Sequence, residues 1–312
     1  MTEQRLIRRQ DLWERRYRAS RDLDHLSPEA LSERVFDCIN NARARTEQNQ
    51  LGLIPMHIAE PWWIRMTEVF HECALRDYGY PGPINISKYG EAFEHAFRPI
   101  PNMERCLEGL RGAPFTMKFG SSDWLPDALN YGKFLLSPAS YYEEKEHNHA
   151  RRDIELSRRL IPNPRNPHAN AFLSSRNLIA PEGKVAGSIE IRETYDYYLF
   201  SLTSSYTSRL FGDFDADACL VIHKPTVFLQ RLMQTLSKQI PGAQCEVELV
   251  NYYDPVRSDP AAIDVPFWKP FNHAYQAELR LIGRLTDPLL ALPRLEIEIG
   301  SLQDCAHLVC VT

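Results

Sequence analysis

The feature that most constrains the fold is a change of pattern at residues 111–114, Arg-Gly-Ala-Pro. Before this point apolar residues recur at helical spacing, and Ser27 followed by Pro28 has the form of a helix start. After it, short apolar runs alternate with breakers and polar residues, which is typical of β-strands. We therefore divide the chain into an all-helical region, 1–112, and a strand-rich domain, 113–312.

Strand candidates in the second part outnumber its helices, so we predict an α+β fold with a mixed or antiparallel sheet. The predicted helices there are a short one stopped by Gly132 and a longer one over 226–239. A polar segment runs from Tyr141 to Arg159, and a Pro/Asn-rich loop is expected after it, over 161–167. The predicted strands are 115–119, 133–137, 185–191, 197–203, 219–223, 246–252, 275–281 and 295–299.

Bulk composition excludes several classes of protein. With 44% hydrophobic and 25% charged residues the chain is expected to be globular, and no run approaches the roughly 20 apolar residues that span a bilayer. The N-terminus lacks the apolar core of a secretory signal. The seven cysteines are scattered, odd in number and without a Cys-x-x-Cys pair, which favours reduced thiols and a cytoplasmic protein with no membrane partner.

Charge along the chain is uneven. The net charge of −5 gives no overall preference for nucleic acid, but seven arginines lie between Arg5 and Arg21 against only Asp11 and Glu14. This helix either tracks phosphates or is simply solvated.

No phosphate-binding glycine loop occurs. His147 and His149 stand among glutamates, but no paired ligands complete a metal site, so no metal is expected.

Residues 274–281 (Ala-Tyr-Gln-Ala-Glu-Leu-Arg-Leu) alternate in polarity, which predicts a strand. Gln276, Glu278 and Arg280 would then share one face, with apolar residues on the core side. Such alternation is the ordinary antiparallel pattern and is equally typical of a solvated edge strand.

Residues 115–155 carry a more specific pattern. Lys118-Phe119-Gly120 ends the first strand, a helix follows, residues 132–141 read Gly-Lys-Phe-Leu-Leu-Ser-Pro-Ala-Ser-Tyr, and residues 148–155 contain Asn, Ala, Asp and Glu at fixed spacing. In this order, and followed by 200–204 (Phe-Ser-Leu-Thr-Ser) and 276–278 (Gln-Ala-Glu), the sequence resembles ADP-ribosyltransferase toxins of bacterial anti-phage defence. The resemblance covers about residues 113–285.

That resemblance implies a split mixed or antiparallel sheet and NAD as the substrate. Glu278 would stabilise the oxocarbenium-like transition state and orient the ribose, while Gln276 would contact the acceptor. Tyr141 or Tyr142 would cover the nicotinamide ring. Lys118 stands where an arginine or histidine is usual, and Arg151 or Arg152 could supply the guanidinium. Catalytic roles fall on Glu278, Gln276 and Tyr142, and NAD-binding roles on Lys118, Phe119, Gly120, Ser137, Tyr141, Arg152, Ser201 and Thr203.

The resemblance also implies partners. A glutamine at 276 goes with a base or amide acceptor, so the acceptor is expected to be nucleic acid, either RNA or DNA. Toxins of this type are held by an antitoxin protein, for which the helical region would be a docking surface. Two alternatives stay open. One is an inactive nucleotide-sensing module, favoured by Lys118, and the other is an RNA nuclease using Glu278, Arg280 and Arg152.

Overall fold

The computed structural model describes residues 3–45, 51–78, 100–143, 154–161, 163, 167–175, 188–289 and 291–311. Its helices are α1 (Glu3–Ser20), α2 (Pro28–Ala42), α3 (Glu60–Leu75), α4 (Pro101–Gly109), α5 (Leu125–Tyr131), α6 (Pro167–Ser175), α7 (Arg209–Asp213) and α8 (Pro225–Gln239). Short 3₁₀ turns cover Ala139–Glu143, Pro260–Ala262, Val265–Phe267 and Phe271–Gln276.

The strands before the middle of the chain are β1 (Arg43–Arg45), β2 (Leu51–Leu53), β3 (Thr116–Gly120), β4 (Lys133–Pro138), β5 (Ser157–Leu160), β6 (Ile189–Arg192) and β7 (Tyr198–Thr203). Those after it are β8 (Ala218–Ile222), β9 (Gln244–Leu249), β10 (Asn251–Tyr253), β11 (Trp268–Pro270), β12 (Glu278–Arg284), β13 (Leu295–Glu298) and β14 (Ala306–Cys310). The α+β class and the predominantly antiparallel sheet are confirmed. The prediction that 1–112 is all-helical is wrong in one place, where β1 and β2 pair antiparallel. The sequence predicts no strand in the polar segment 141–159, but β5 begins at Ser157 and pairs with β6.

The main sheet has eight antiparallel strands in the order β13-β4-β7-β3-β8-β14, with β12 on the other edge of β7 and β9 beyond it. All five residues of β8 are buried, as expected for an apolar central strand. One face is covered by α8, whose Phe228, Leu232 and Leu236 are fully buried. The sheet core therefore lies between this helix and the β7–β12 pair.

The sheet forks at strand β7. Along its whole length it pairs with β12, but its other edge is shared by two strands. β3 meets it at Thr203, and β4 meets it at Tyr198 and Leu199. Between these points residues 200–202 have a strand neighbour only on the β12 side, so the sheet opens there.

Local sequence signals explain several element ends. The Ser27 hydroxyl accepts a hydrogen bond from the Ala30 amide at 3.2 Å, and Pro28 is the first helical residue of α2. Gly132 ends α5 in the left-handed conformation, and an added Cβ would overlap the Gly300 carbonyl oxygen. Both of these predicted boundaries are confirmed.

The helical region packs against residues 251–277, which we call the anchor segment. Val256 and Phe271 of this segment belong to the same buried apolar cluster as residues of α2 and α3. Arg34 forms a two-bonded ion pair with Asp254, with N–O distances of 2.8 and 2.5 Å. The Asn41 side chain donates to the Phe271 carbonyl and accepts from the Tyr275 amide. The helices thus fix the chain that leads into β12.

Candidate active site

A cavity of about 900 Å³ lies where β3 and β4 separate from β7. Its size is within the range of small-molecule and cofactor pockets. Its walls come from β3, β4 and β7 and from the turn after β4, with Glu278 of β12 and Lys269 of β11 also exposed to it. The predicted site residues that line it are Lys118, Phe119, Ser137, Tyr141, Tyr142, Ser201, Thr203 and Glu278.

Glu278 and Arg280 lie on the same face of β12, directly across from Thr203 and Ser201 of β7. This confirms that part of the predicted polar row. The row is not at a solvated edge, however, because β12 lies between β7 and β9. Glu278 is 5% exposed and Arg280 is fully buried. A polar face inside a sheet needs internal partners, and here it has them.

The predicted strand over 274–281 is wrong in its first half. The 3₁₀ turn runs through Gln276, Ala277 adopts the left-handed conformation (φ 44°), and β12 starts at Glu278. Gln276 is therefore not a strand neighbour of Glu278. Its side chain still reaches the same cluster, because its Oε1 accepts a hydrogen bond from Lys269 Nζ at 3.0 Å.

A buried ionic cluster forms the cavity floor. Lys269 Nζ donates to Glu278 Oε1 at 2.6 Å, and Arg280 Nε donates to Glu278 Oε2 at 2.9 Å. Arg280 also binds both oxygens of Glu155 at 2.8 Å, and Arg158 binds one of them at 2.8 Å. Three cations and two carboxylates share this site, so the cluster carries one excess positive charge.

The protonation of Glu278 follows from these neighbours. Burial alone would raise the pKa of its carboxyl. The charges of Arg280 and Lys269, together with the hydrogen bonds that both donate, outweigh burial and hold that pKa well below its ordinary value. Glu278 therefore faces the cavity as a carboxylate, which can accept further hydrogen bonds from a ligand.

Lys118 lies in the fork of the sheet. Its Nζ donates to the Ser201 carbonyl at 2.9 Å and stands 4.4 Å from the centre of the Phe200 ring. The ammonium thus satisfies a β7 carbonyl in the stretch that neither β3 nor β4 reaches. Ser201 and Thr203 are on the opposite face from Phe200, beside the β12 carboxylate.

Two tyrosines follow β4 on the cavity wall. The rings of Tyr141 and Tyr142 are 5.6 Å apart and nearly perpendicular, and the Arg294 guanidinium stacks 3.8 Å from the Tyr141 ring. Burial raises the pKa of Tyr142 to about 12, with Glu155 adding to it and a hydrogen bond with Ser137 opposing it. Tyr142 therefore stays a neutral hydroxyl at physiological pH.

The other predicted residues are placed as follows. Gly120 ends β3 against the indole ring of Trp124, which lines the cavity and leaves no room for a Cβ at this position. Arg151, Arg152, His147 and His149 lie outside the described residues. Within the described part of the chain, no group of three or more His, Cys, Asp or Glu side chains is arranged to hold a metal ion.

Sequence reasoning missed Lys269 and gave Glu155 no role. Glu155 had a signal, because it ends the fixed-spacing segment of 148–155. Lys269 had none, since it is one lysine in a short stretch, Phe-Trp-Lys-Pro, without a recognisable motif. Its contacts with Glu278 arise from the fold of the anchor segment.

Comparison with known proteins identifies no relative: no protein-family profile matches the sequence, no curated protein matches it, and no solved structure matches the fold. Among the described helices, none has both the length and the apolar character needed to cross a membrane.

Proposed function

We propose that the protein is an NAD-dependent ADP-ribosyltransferase. The observation that carries this proposal is the cavity in the forked sheet, because residues from every predicted motif line it. Lys118 comes from β3, Tyr141 from the turn after β4, Ser201 and Thr203 from β7, and Glu278 from β12. These positions are separated by up to 160 residues in sequence, so their meeting supports the resemblance from which they were chosen.

The proposed reaction transfers ADP-ribose from NAD to an acceptor. The bond between ribose C1′ and the nicotinamide nitrogen breaks, and nicotinamide leaves with the bonding electrons. The acceptor nucleophile then bonds to C1′ and loses its proton. Glu278 orients the ribose through its hydroxyls and stabilises positive charge on the sugar. Tyr141 or Tyr142 packs on the nicotinamide ring, and Lys118 faces the phosphates.

The acceptor in this proposal is a base of RNA or DNA. Gln276 is fully buried behind Glu278 and does not line the cavity, so the support for this acceptor comes from Arg15 and Arg16, which are exposed on α1 where they could follow a phosphate backbone. An antitoxin protein bound to the helical region would hold the enzyme inactive in the cytoplasm until phage infection. The nuclease alternative is less well supported, because it needs Arg280 to bind a phosphate. The Arg280 guanidinium is fully buried and donates its hydrogen bonds to Glu155, Glu278 and the Pro266 carbonyl.

The experiment is incubation of purified wild type, Glu278→Gln and Glu298→Gln with NAD labelled in its adenylate moiety, together with total RNA, DNA and cell protein. Glu298 lines the same cavity but is exposed and stands apart from the ionic cluster, so it is the matched control. We expect label in a macromolecule with wild type and Glu298→Gln, and a loss of about 100-fold or more with Glu278→Gln. Wild type that neither labels a macromolecule nor releases nicotinamide contradicts the proposal, and RNA shortened without label indicates a nuclease.

One observation favours a second candidate, a nucleotide-binding module without transferase activity. Lys269 and Arg280 both neutralise Glu278, and a carboxylate compensated in this way stabilises a developing cation less than a free one. Isothermal titration with NAD and ADP-ribose distinguishes the two. Tight binding by wild type with no release of nicotinamide over hours supports the module.

A further inference from the structure

Lys269 enters the cavity from outside the main sheet. It lies on β11, which pairs in parallel with β10 so that Lys269 is opposite Tyr252. Its ammonium is 2.6 Å from Glu278 Oε1, 3.0 Å from Gln276 Oε1 and 4.0 Å from Glu155 Oε1. The side chain is 4% exposed, yet it lines the cavity. A lysine buried to this extent is expected to have a specific partner, and this one has three acidic or amide oxygens near it.

The backbone does not by itself hold Gln276 beside Glu278. Ala277 stands between them in the left-handed conformation, so strand alternation does not set the direction of the Gln276 side chain. The two oxygens that Lys269 binds therefore come from different elements, a 3₁₀ turn and a strand. A single ammonium connects them.

Lys269 is itself firmly placed. The Tyr252 hydroxyl, opposite Lys269 in the β10–β11 pair, accepts the hydrogen bond of the Glu278 amide at 2.9 Å. Asn41 of α2 holds both ends of the turn before Ala277, through the Phe271 carbonyl and the Tyr275 amide. The lysine, the turn and the start of β12 are therefore parts of one hydrogen-bonded unit.

We propose that Lys269 is a positioning residue of the active site, which holds the Glu278 carboxylate at the cavity wall by joining it to the buried Gln276 amide behind it. Its role rests on the proposed function, since the reaction needs the carboxylate at the ribose. Displacing reacting groups by about 1 Å can cost about 100-fold in rate. Loss of the bridge therefore acts on catalysis more than on binding of NAD.

The same contact helps to set the charge of Glu278. The groups that face this carboxyl are Lys269 and Arg280 as cations and the hydroxyls of Tyr252 and Tyr142, while Glu155 is an anion that contacts both cations. Without Lys269 only Arg280 would oppose the cost of burial, and Arg280 is shared with Glu155. The pKa of Glu278 is then expected to rise.

The test compares wild type with Lys269→Met, Lys269→Arg and the control Lys133→Met, whose exposed lysine lines the outer part of the cavity. Release of nicotinamide is measured against pH and NAD concentration. For Lys269→Met we expect kcat to fall about 10- to 100-fold, KM to change less than about 3-fold, and the acid limb of the kcat profile to move to higher pH. Lys133→Met should behave as wild type.

Lys269→Met is expected to fold, because it leaves the cluster with two cations and two carboxylates. If Lys269→Met does not fold, Lys269→Arg is used for the test instead. Arginine keeps the positive charge but not the point contact of an ammonium, so kcat should fall at least about 10-fold while the acid limb stays in place. Wild-type kcat with an unmoved acid limb in the folded variants overturns the proposal.

A second readout separates this proposal from the proposed function. Infrared difference spectra of wild type and Lys269→Met, with Glu278→Gln to identify the band, follow the ionisation of the Glu278 carboxyl without any substrate. If wild type releases no nicotinamide, the transferase function fails. The titration of Glu278 still decides whether Lys269 controls it, and an identical titration with and without the lysine refutes that control.

Discussion

Asp254 and Glu278 are both buried carboxylates bonded to arginine, and they differ in what else they face. Asp254 is enclosed by Arg34, with the Val256 amide and the more distant Arg65 completing its contacts. Glu278 is paired as closely with Lys269 and Arg280 but also lines the cavity. A buried ion pair is therefore no sign of function by itself. Access from a cavity distinguishes the second pair from the first.

The two pairs are also connected. Asp254 lies near the start of the anchor segment, while Lys269 and Gln276 lie towards its end. The helical region holds this segment at the first pair, and the second pair holds it against β12. The helices are thus expected to contribute to the geometry of the cavity without lining it.

The largest effect is expected from Arg34→Met, which leaves Asp254 buried without its main partner. Breaking a buried pair in this way costs about 3–5 kcal/mol, to be measured by urea unfolding. The double variant Arg34→Met with Asp254→Asn should recover part of the loss. A cost below about 1 kcal/mol for the single variant would mean that Arg65 can replace Arg34, and the two pairs would then not be comparable.

The acid dependence of stability compares the pairs directly. Burial would raise the pKa of Asp254, but Arg34, Arg257 and Arg65 hold it well below its ordinary value, as Arg280 and Lys269 do for Glu278. Both groups thus contribute stability that is present above about pH 5 and is lost as pH falls below about 4. The expected loss is about 2–3 kcal/mol for each carboxylate. Asp254→Asn and Glu278→Gln should each flatten the unfolding curve between pH 5 and pH 2, and an unchanged slope would contradict the assignment.

A smaller effect is expected at the link between the anchor segment and β12. In Tyr252→Phe the Glu278 amide loses its acceptor, the Tyr252 hydroxyl. An unsatisfied buried amide costs about 1–3 kcal/mol. Because the Lys269 contacts remain, kcat should fall less than in Lys269→Met. Hydrogen exchange of the Glu278 amide is the direct measurement, and unaltered protection would show that the link does not hold β12.

The smallest effect concerns Asp37, which stands one turn of α2 from Arg34. Burial raises the pKa of Asp37 to about 7 in the folded protein. In the unfolded chain this carboxyl ionises near pH 4, so the free energy of unfolding falls as pH rises from about 4 to about 7. Asp37→Asn should be more stable than wild type at pH 8 by about 1 kcal/mol, since water still reaches this side chain, and equal to it at pH 4. Thermal melting of both proteins at pH 8 and pH 4 checks this. A higher stability of Asp37→Asn at pH 4 would point to another cause.

What could be predicted from the sequence depended on local chemistry. The cap at Ser27 and the stop at Gly132 need only a hydroxyl before a proline and a residue that tolerates positive φ. The shared faces of Ser201 and Thr203 on β7, and of Glu278 and Arg280 on β12, were also predicted correctly. In a strand a period of two decides which side chains share a face. The α+β class followed from the number of such runs.

The failures came from interactions that a linear pattern does not contain. The start of β12 was misplaced because Ala277 adopts a conformation that alanine seldom takes, and no residue type announced it. Strand β5 was missed because Arg158 is polar, yet its side chain is buried, and it donates hydrogen bonds to Glu155 and to the carbonyls of Trp268 and Ile154. Lys269 reaches Glu278 only through the fold of the anchor segment.

The fork of β7 has a consequence for how any anion could be held. Lys118 takes the place of a missing neighbouring strand, because its ammonium supplies the donor that the Ser201 carbonyl would otherwise receive from a backbone amide. A phosphate that drew the ammonium away would leave this carbonyl to be hydrated or to accept from a hydroxyl of the incoming molecule. A ligand that carries a hydroxyl group along with its negative charge therefore has an advantage at this position over an anion without a hydroxyl, such as sulfate.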